Sequence, residues 1–94
     1  MLDKMKQLME LKKQADQIKR ELDGLTVEVN DVRGIKLVVS GAQEFRSVEI
    51  AADRLGMDKK FELERDLLRS LNLAMKKAQQ VAAQKMAVVM PGGF

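Results

Sequence analysis

The apolar positions of this chain change their period twice. Leu8, Leu11, Ala15, Ile18 and Leu22 recur at intervals of 3, 4, 3 and 4 residues, the spacing of a helical heptad seam. Met5 carries the pattern toward the N-terminus, neither Pro nor Gly interrupts it, and most of the remaining residues are good helix formers. A helix over about residues 2–22 is therefore predicted. Asp23-Gly24 stops it, with Gly24 suited to the left-handed position just past a helix end. The period then becomes two. Leu25, Val27 and Val29 alternate with polar residues over 25–30; Ile35, Leu37 and Val39 do so over 35–40; Val48 and Ile50 fall in a third run over 44–51. "DVRG" and "GAQ" supply the turns between the runs. Three such runs make an antiparallel meander with one strongly apolar face. Strict alternation places Val38 and Phe45 on the opposite, otherwise polar face, where they are a candidate meeting point for a second subunit.

The second change of period follows the connector "AADRLGM", which has room for one short helical turn. Asp58 suits an N-cap, and from there Met57, Phe61, Leu68, Leu71, Met75, Ala78, Ala82, Met86 and Val89 follow a helical stripe, broken at Glu64 and widened by Leu67, Ala74 and Val81. The stripe predicts a helix over about residues 58–90, ended by Pro91-Gly92-Gly93 and followed by a short tail with an apolar tip, Phe94. The fold class is α+β: a single domain over 1–94 in the order αβββα, its three-stranded antiparallel sheet covered by long N- and C-terminal helices.

The helices are too long for such a domain standing alone. A compact chain of 94 residues has a radius of gyration of about 12 Å. The second helix would span roughly 46 Å and the first about 31 Å, so part of the apolar stripe overhangs the sheet and needs another chain to cover it. An intertwined homodimer is the economical solution. Its candidate interface residues are Val38, Phe45, Leu68, Leu71, Met75, Ala78 and Ala82. The seam on the first helix has two open uses, packing on its own sheet or meeting a partner.

Composition narrows the chemistry. Cys and His are absent, which removes disulfides, thiolate nucleophiles, the commonest general base and the commonest transition-metal ligands. Ser40, Ser47 and Ser70 have no base at a recognisable spacing, and Glu62, Glu64 and Asp66 read as a charged helix face. No Walker loop or calcium loop is present. Enzyme activity, a cofactor, a metal and a small-molecule substrate are accordingly not expected. With Phe45, Phe61 and Phe94 as the sole aromatics, a stacking platform for single strands is poorly supported. No run approaches the length of a membrane span and the N-terminus lacks an apolar signal core, so a cytoplasmic location away from membranes is expected.

Binding remains. Seventeen basic against fourteen acidic residues give a net charge of +3, a mild excess whose distribution matters more than its size. Lys12, Lys13, Lys19 and Arg20 lie on the first helix among acids, whereas residues 67–94 carry Arg69, Lys76, Lys77 and Lys85 and no acid. Such groups neutralise phosphates without reading bases. These eight residues are the candidate nucleic-acid site.

In order, "KMKQLMELKKQADQIKREL", the central "GIKLVVSGAQEFRSVEI", "AMKKAQQVAAQKM" and the terminal "PGGF" resemble the YbaB/EbfC nucleoid-associated DNA-binding proteins over nearly the whole chain. The centre carries most of the likeness, with a Gly-led strand, a Ser-Gly-Ala turn and a Val-Glu-Ile strand. Against that pattern, no Gly-rich N-terminal leader is expected here. The resemblance implies a tight homodimer with projecting helical arms, binding of double-stranded DNA through basic residues on both helices, and compaction of a bacterial nucleoid with effects on gene expression. The competing expectation is a protein–protein adaptor of the same fold that uses its exposed apolar stripe.

Overall fold

A computed structural model describes residues 2–89, without the side chains of Leu2 and Val89. The expected Pro-Gly-Gly stop and the apolar tip at Phe94 lie outside the described residues. Helix α1 spans Leu2–Gly24, strands β1, β2 and β3 span Thr26–Val29, Ile35–Ser40 and Phe45–Ile50, and helix α2 spans Lys60–Val89, preceded by 3-10 turns at Ala52–Arg54 and Met57–Lys59. The order αβββα and the antiparallel sheet are as the periodicity predicts, and the sheet order is β1-β2-β3. The expected helix and strand ends move by one or two residues. Gly24 closes α1 without a left-handed φ, and Asp58 sits inside a 3-10 turn instead of capping α2.

The core is thin. Val29, Ile35, Leu37 and Val39 from β1 and β2 meet Ala74 and Ala78 of α2, with Leu63, Leu67 and Leu71 packed around them. The small side chains at 74 and 78 let the helix backbone approach the sheet closely. Ser70, also buried, resolves its hydroxyl by donating to the Asp66 carbonyl at 2.9 Å. The buried face of α2 thus runs through 67, 70, 74 and 78. The sequence stripe was centred to one side of it: Met57, Phe61 and Leu68 are exposed, Phe61 by 81%. Ala78, expected at a dimer interface, is instead fully buried in its own subunit.

The expected strand phase fails at one point. The register pairs Leu37 with Val48 and Val38 with Ser47, and then Val39 with Phe45, so that Arg46 is an extra residue. This bulge returns Phe45 to the face shared by Val39, Leu37, Val48 and Ile50, not to the polar face that alternation assigned. Helix α2 packs on β2 and β1. The apolar side of β3 is left open, with Val48 52% and Phe45 38% exposed.

Two contacts fix the far end of the sheet. Gly34, at φ 80°, ends the β1–β2 turn, a conformation that glycine adopts without the usual steric penalty. Its Cα face is filled by Arg54, whose Cγ and Cδ would lie 2.6 and 2.9 Å from an added Cβ. Arg54 donates to the Arg33 carbonyl at 2.7 Å and to Asp66 Oδ2 at 2.6 Å, tying the turn to the start of α2. The Arg54 hydrogen bond holds the Asp66 carboxyl below the ordinary carboxylate range against the opposing effect of burial.

The molecule is long, 66 × 21 × 18 Å, with a radius of gyration of 18.5 Å. That exceeds the value of about 12 Å for a compact chain of this size. The excess is helix. Of the residues 3–17 every one is exposed; α1 is anchored only near its C-terminal end, through Ile18 and through Leu22, which touches Gly41 at the β2–β3 turn. Helix α2 begins at the opposite end of the sheet and leaves beside that same turn, where Lys85 meets Glu21. The helices therefore lie antiparallel beside this turn and project together from it as an arm.

Candidate nucleic-acid interface

The eight cations expected to contact DNA divide by what already holds them. Lys77 bonds both carboxylate oxygens of Asp31, each at 3.2 Å, and Lys85 reaches Glu21 at 3.3 Å. These two are half-buried and serve the subunit, joining α2 to the β1–β2 turn and to α1. Lys12, Lys13, Lys19, Arg20, Arg69 and Lys76 are exposed and form no ion pair among the described residues. Elsewhere, Arg33, Lys36, Arg46, Arg54 and Lys60 are all matched with carboxylates. Lys36, half-buried, has its pKa raised by the hydrogen bond to Glu28.

Position explains the division. At 3.6 residues per turn, Lys76 and Arg69 lie about 180–200° around α2 from Leu67, on the pole away from the sheet. Lys77 lies about 80° from the buried centre of the helix, within reach of the turn. The adjacent pair Lys76-Lys77 is therefore not one patch but two sides of a helix.

Arg65 was missed by sequence reasoning. It is exposed, four residues before Arg69 and on the same outer pole, and its Nε also lies 3.3 Å from Asp66 Oδ1. A concave strip lined by Arg65, Leu68, Arg69, Asn72, Leu73 and Lys76 follows. The spacing of 65, 69 and 76 at one helical face was the available signal; the acids nearby at Glu62, Glu64 and Asp66 obscured it. Helix α1 supplies a second cationic surface. Lys12 and Lys19 lie on one side of it, and Lys6, Lys13 and Arg20, at seven-residue intervals, on another. Lys6 was also absent from the expected set.

No group of acidic side chains suited to hold a metal ion occurs among the described residues, nor does any helix there have the length and apolarity to cross a membrane. The described residues offer cations in rows on helices. The sequence profile of the YbaB/EbfC DNA-binding family matches residues 1–94, the whole chain. The chain belongs to this family. DNA is accordingly its partner and a nucleoid-associated role its broad function. The YbaB/EbfC family is one of DNA-binding proteins and is not known for catalysis. Curated proteins gave no significant match.

Proposed function

We propose that this YbaB/EbfC-family chain binds duplex DNA as a homodimer, mainly through phosphate contacts, and thereby compacts the nucleoid and influences gene expression. One observation carries the reading: six of the expected cations stand free of carboxylates on exposed helix faces, while most of the chain's other cations are matched internally. Rows on long helices present charge to a charged rod without needing a concave site. Lys77 and Lys85 join the interface by loosening surface ion pairs, each of which contributes little by itself.

Dimerisation rests on the open apolar surfaces. Phe45 and Val48 on β3, with Leu68 on α2, are exposed large side chains beside a thin core, Leu71, Met75 and Ala82 on α2 are half-buried, and Val38 is half-buried on the opposite face of the sheet. A second subunit covers these and doubles the cation count, so that weak contacts add through linkage in one particle. The adaptor reading uses the same apolar residues for a different protein. Charge reversal separates the two. Replacing Arg69 and Lys76 together by Glu weakens binding to two unrelated duplexes alike, because phosphate contacts carry no sequence. Unchanged affinity for both duplexes removes these residues from the interface, and loss for one duplex alone makes them base readers.

A further inference from the structure

Helix α1 carries more than lysines on its outer side. Met5 and Met9 are 64% and 63% exposed. They stand about 40° apart on the helix, on a ridge roughly 140° around from Ile18 and Leu22, which meet the rest of the subunit, so that Met5 stands off the seam it was expected to extend. The ridge is flanked on both sides by cations. Lys12 and Lys19 lie about 50° to one side, and Lys6, Lys13 and Arg20 about 60° to the other. None of the five is ion-paired among the described residues. Asp16 and Asp23 are the acids on this arc and lie about two and four turns beyond Met9, Asp23 beside Arg46 at the sheet end of the helix; Asp3, Glu10 and Glu21 fall outside it.

A helix laid against a single phosphate strand needs one row of cations. Two rows with an apolar ridge between them fit a groove. An α-helix with its side chains is about 10–12 Å across, and the major groove of B-DNA is about 12 Å wide. A helix lying in it meets a phosphate backbone on each flank and base edges at its centre, where thymine presents a methyl group. Methionine, unbranched and polarizable, adapts to such a surface. A second copy of α1 is the weaker occupant, because docking on this face would bring lysine rows against lysine rows.

We infer that the N-terminal half of α1 lies in the major groove of duplex DNA, with Met5 and Met9 against base edges, thymine methyl groups foremost, and the two cationic rows on the opposite backbones. The inference rests on the DNA-interface reading above and adds a base-contacting element to it.

Peroxide footprinting of the intact protein tests it, since exposed methionines oxidise to sulfoxides. Met57, 98% exposed and remote from α1, is the internal reference. The probes are a short A·T-rich duplex and the same duplex with uracil in place of thymine. Complex formation is read by mobility shift in each sample. The expected result is strong protection of Met5 and Met9 by the duplex with Met57 unchanged. Affinity should fall by about fourfold for each buried methyl lost on the uracil duplex, and this preference should vanish in the Met5→Ala/Met9→Ala variant. A complex in which both methionines oxidise at their free rates overturns the inference and leaves the DNA interface standing. Protection without any thymine preference places the ridge on the backbone and overturns the groove assignment. Slow oxidation of Met5 and Met9 in the free protein, relative to Met57, assigns the ridge to a second copy and also overturns it. Absence of a complex with either duplex refutes the interface reading itself, and the inference with it.

Discussion

Two glycines near opposite ends of the sheet should respond to alanine in opposite directions. Gly34 holds φ 80°, and a Cβ there would meet Arg54 Cγ at 2.6 Å and Cδ at 2.9 Å. Placing an L-residue in the left-handed region costs about 1–2 kcal/mol. The clash adds to this, because Arg54 has little room to retreat: its guanidinium is held at 2.7 Å by the Arg33 carbonyl and at 2.6 Å by Asp66. Gly34→Ala should therefore destabilise by about 2–4 kcal/mol, a substantial part of a total that is typically 5–15. Gly24 ends α1 with no positive φ and nothing within 4 Å of its added Cβ. Gly24→Ala should be neutral or stabilise by up to about 1 kcal/mol through helix propensity and a less flexible unfolded chain. Urea unfolding at one fixed protein concentration reads both, the concentration mattering because dimerisation contributes to apparent stability. With a slope of about 1–3 kcal/mol per molar, Gly34→Ala should lower the midpoint by roughly 1–2 M while Gly24→Ala leaves it or raises it. Equal midpoints for the two variants would refute the assigned role of the Gly34–Arg54 contact.

Lys76→Ala should weaken duplex binding more than Lys77→Ala, because Lys77 is engaged with Asp31; a fluorescence-anisotropy titration of both variants checks the order, and stability should change by less than about 1 kcal/mol for either. Leu68→Asp, exposed within the subunit, should leave the helices intact but convert a dimer to a species of 10.6 kDa in sedimentation equilibrium; a retained dimer mass removes Leu68 from the interface. Asp66 is held below the ordinary carboxylate range by Arg54, so its contribution to stability is fully present above the unfolded value of about 3.9 and is lost as pH falls through the lower, folded value. Acid unfolding of Asp66→Asn should lack that limb while keeping the neutral-pH plateau flat; an unchanged acid limb would show that Arg54 does not act through this carboxylate.

The order of elements was legible because each of its signals is local. Heptad spacing in α1, alternation in β2 and the Gly-bearing turns arise from residues adjacent in sequence, and each survives in the fold. Helical overhang was legible as well, since helix length follows from residue count and the diameter of a compact domain from chain length. What escaped depends on contacts distant in sequence. Alternation put Phe45 on the polar face, and only the extra residue at Arg46, visible from the pairing with β2, reverses it. The buried face of α2 runs through Ser70, Ala74 and Ala78, small or polar side chains that a hydrophobicity pattern underweights beside Phe61 and Leu68. The Arg54–Asp66 contact joins residues whose types alone suggest a solvated surface. At the candidate interface, charge picked out eight cations but could not separate Lys76, which is exposed, from Lys77, which is paired with Asp31, because neighbours in sequence stand about 100° apart on a helix. Asp31, the partner that captures Lys77, is 46 residues away.

The salt dependence of duplex binding tests the central claim most directly. Counterion release from about four to seven neutralised phosphates gives a log–log slope of roughly −3 to −6 against monovalent salt. The purified protein should show that slope with two unrelated duplexes, and the Arg69→Glu/Lys76→Glu variant should show a shallower one with both. A wild-type slope near zero, or affinity that survives high salt unchanged, would contradict binding through these cations and leave the apolar surfaces as the protein's working face.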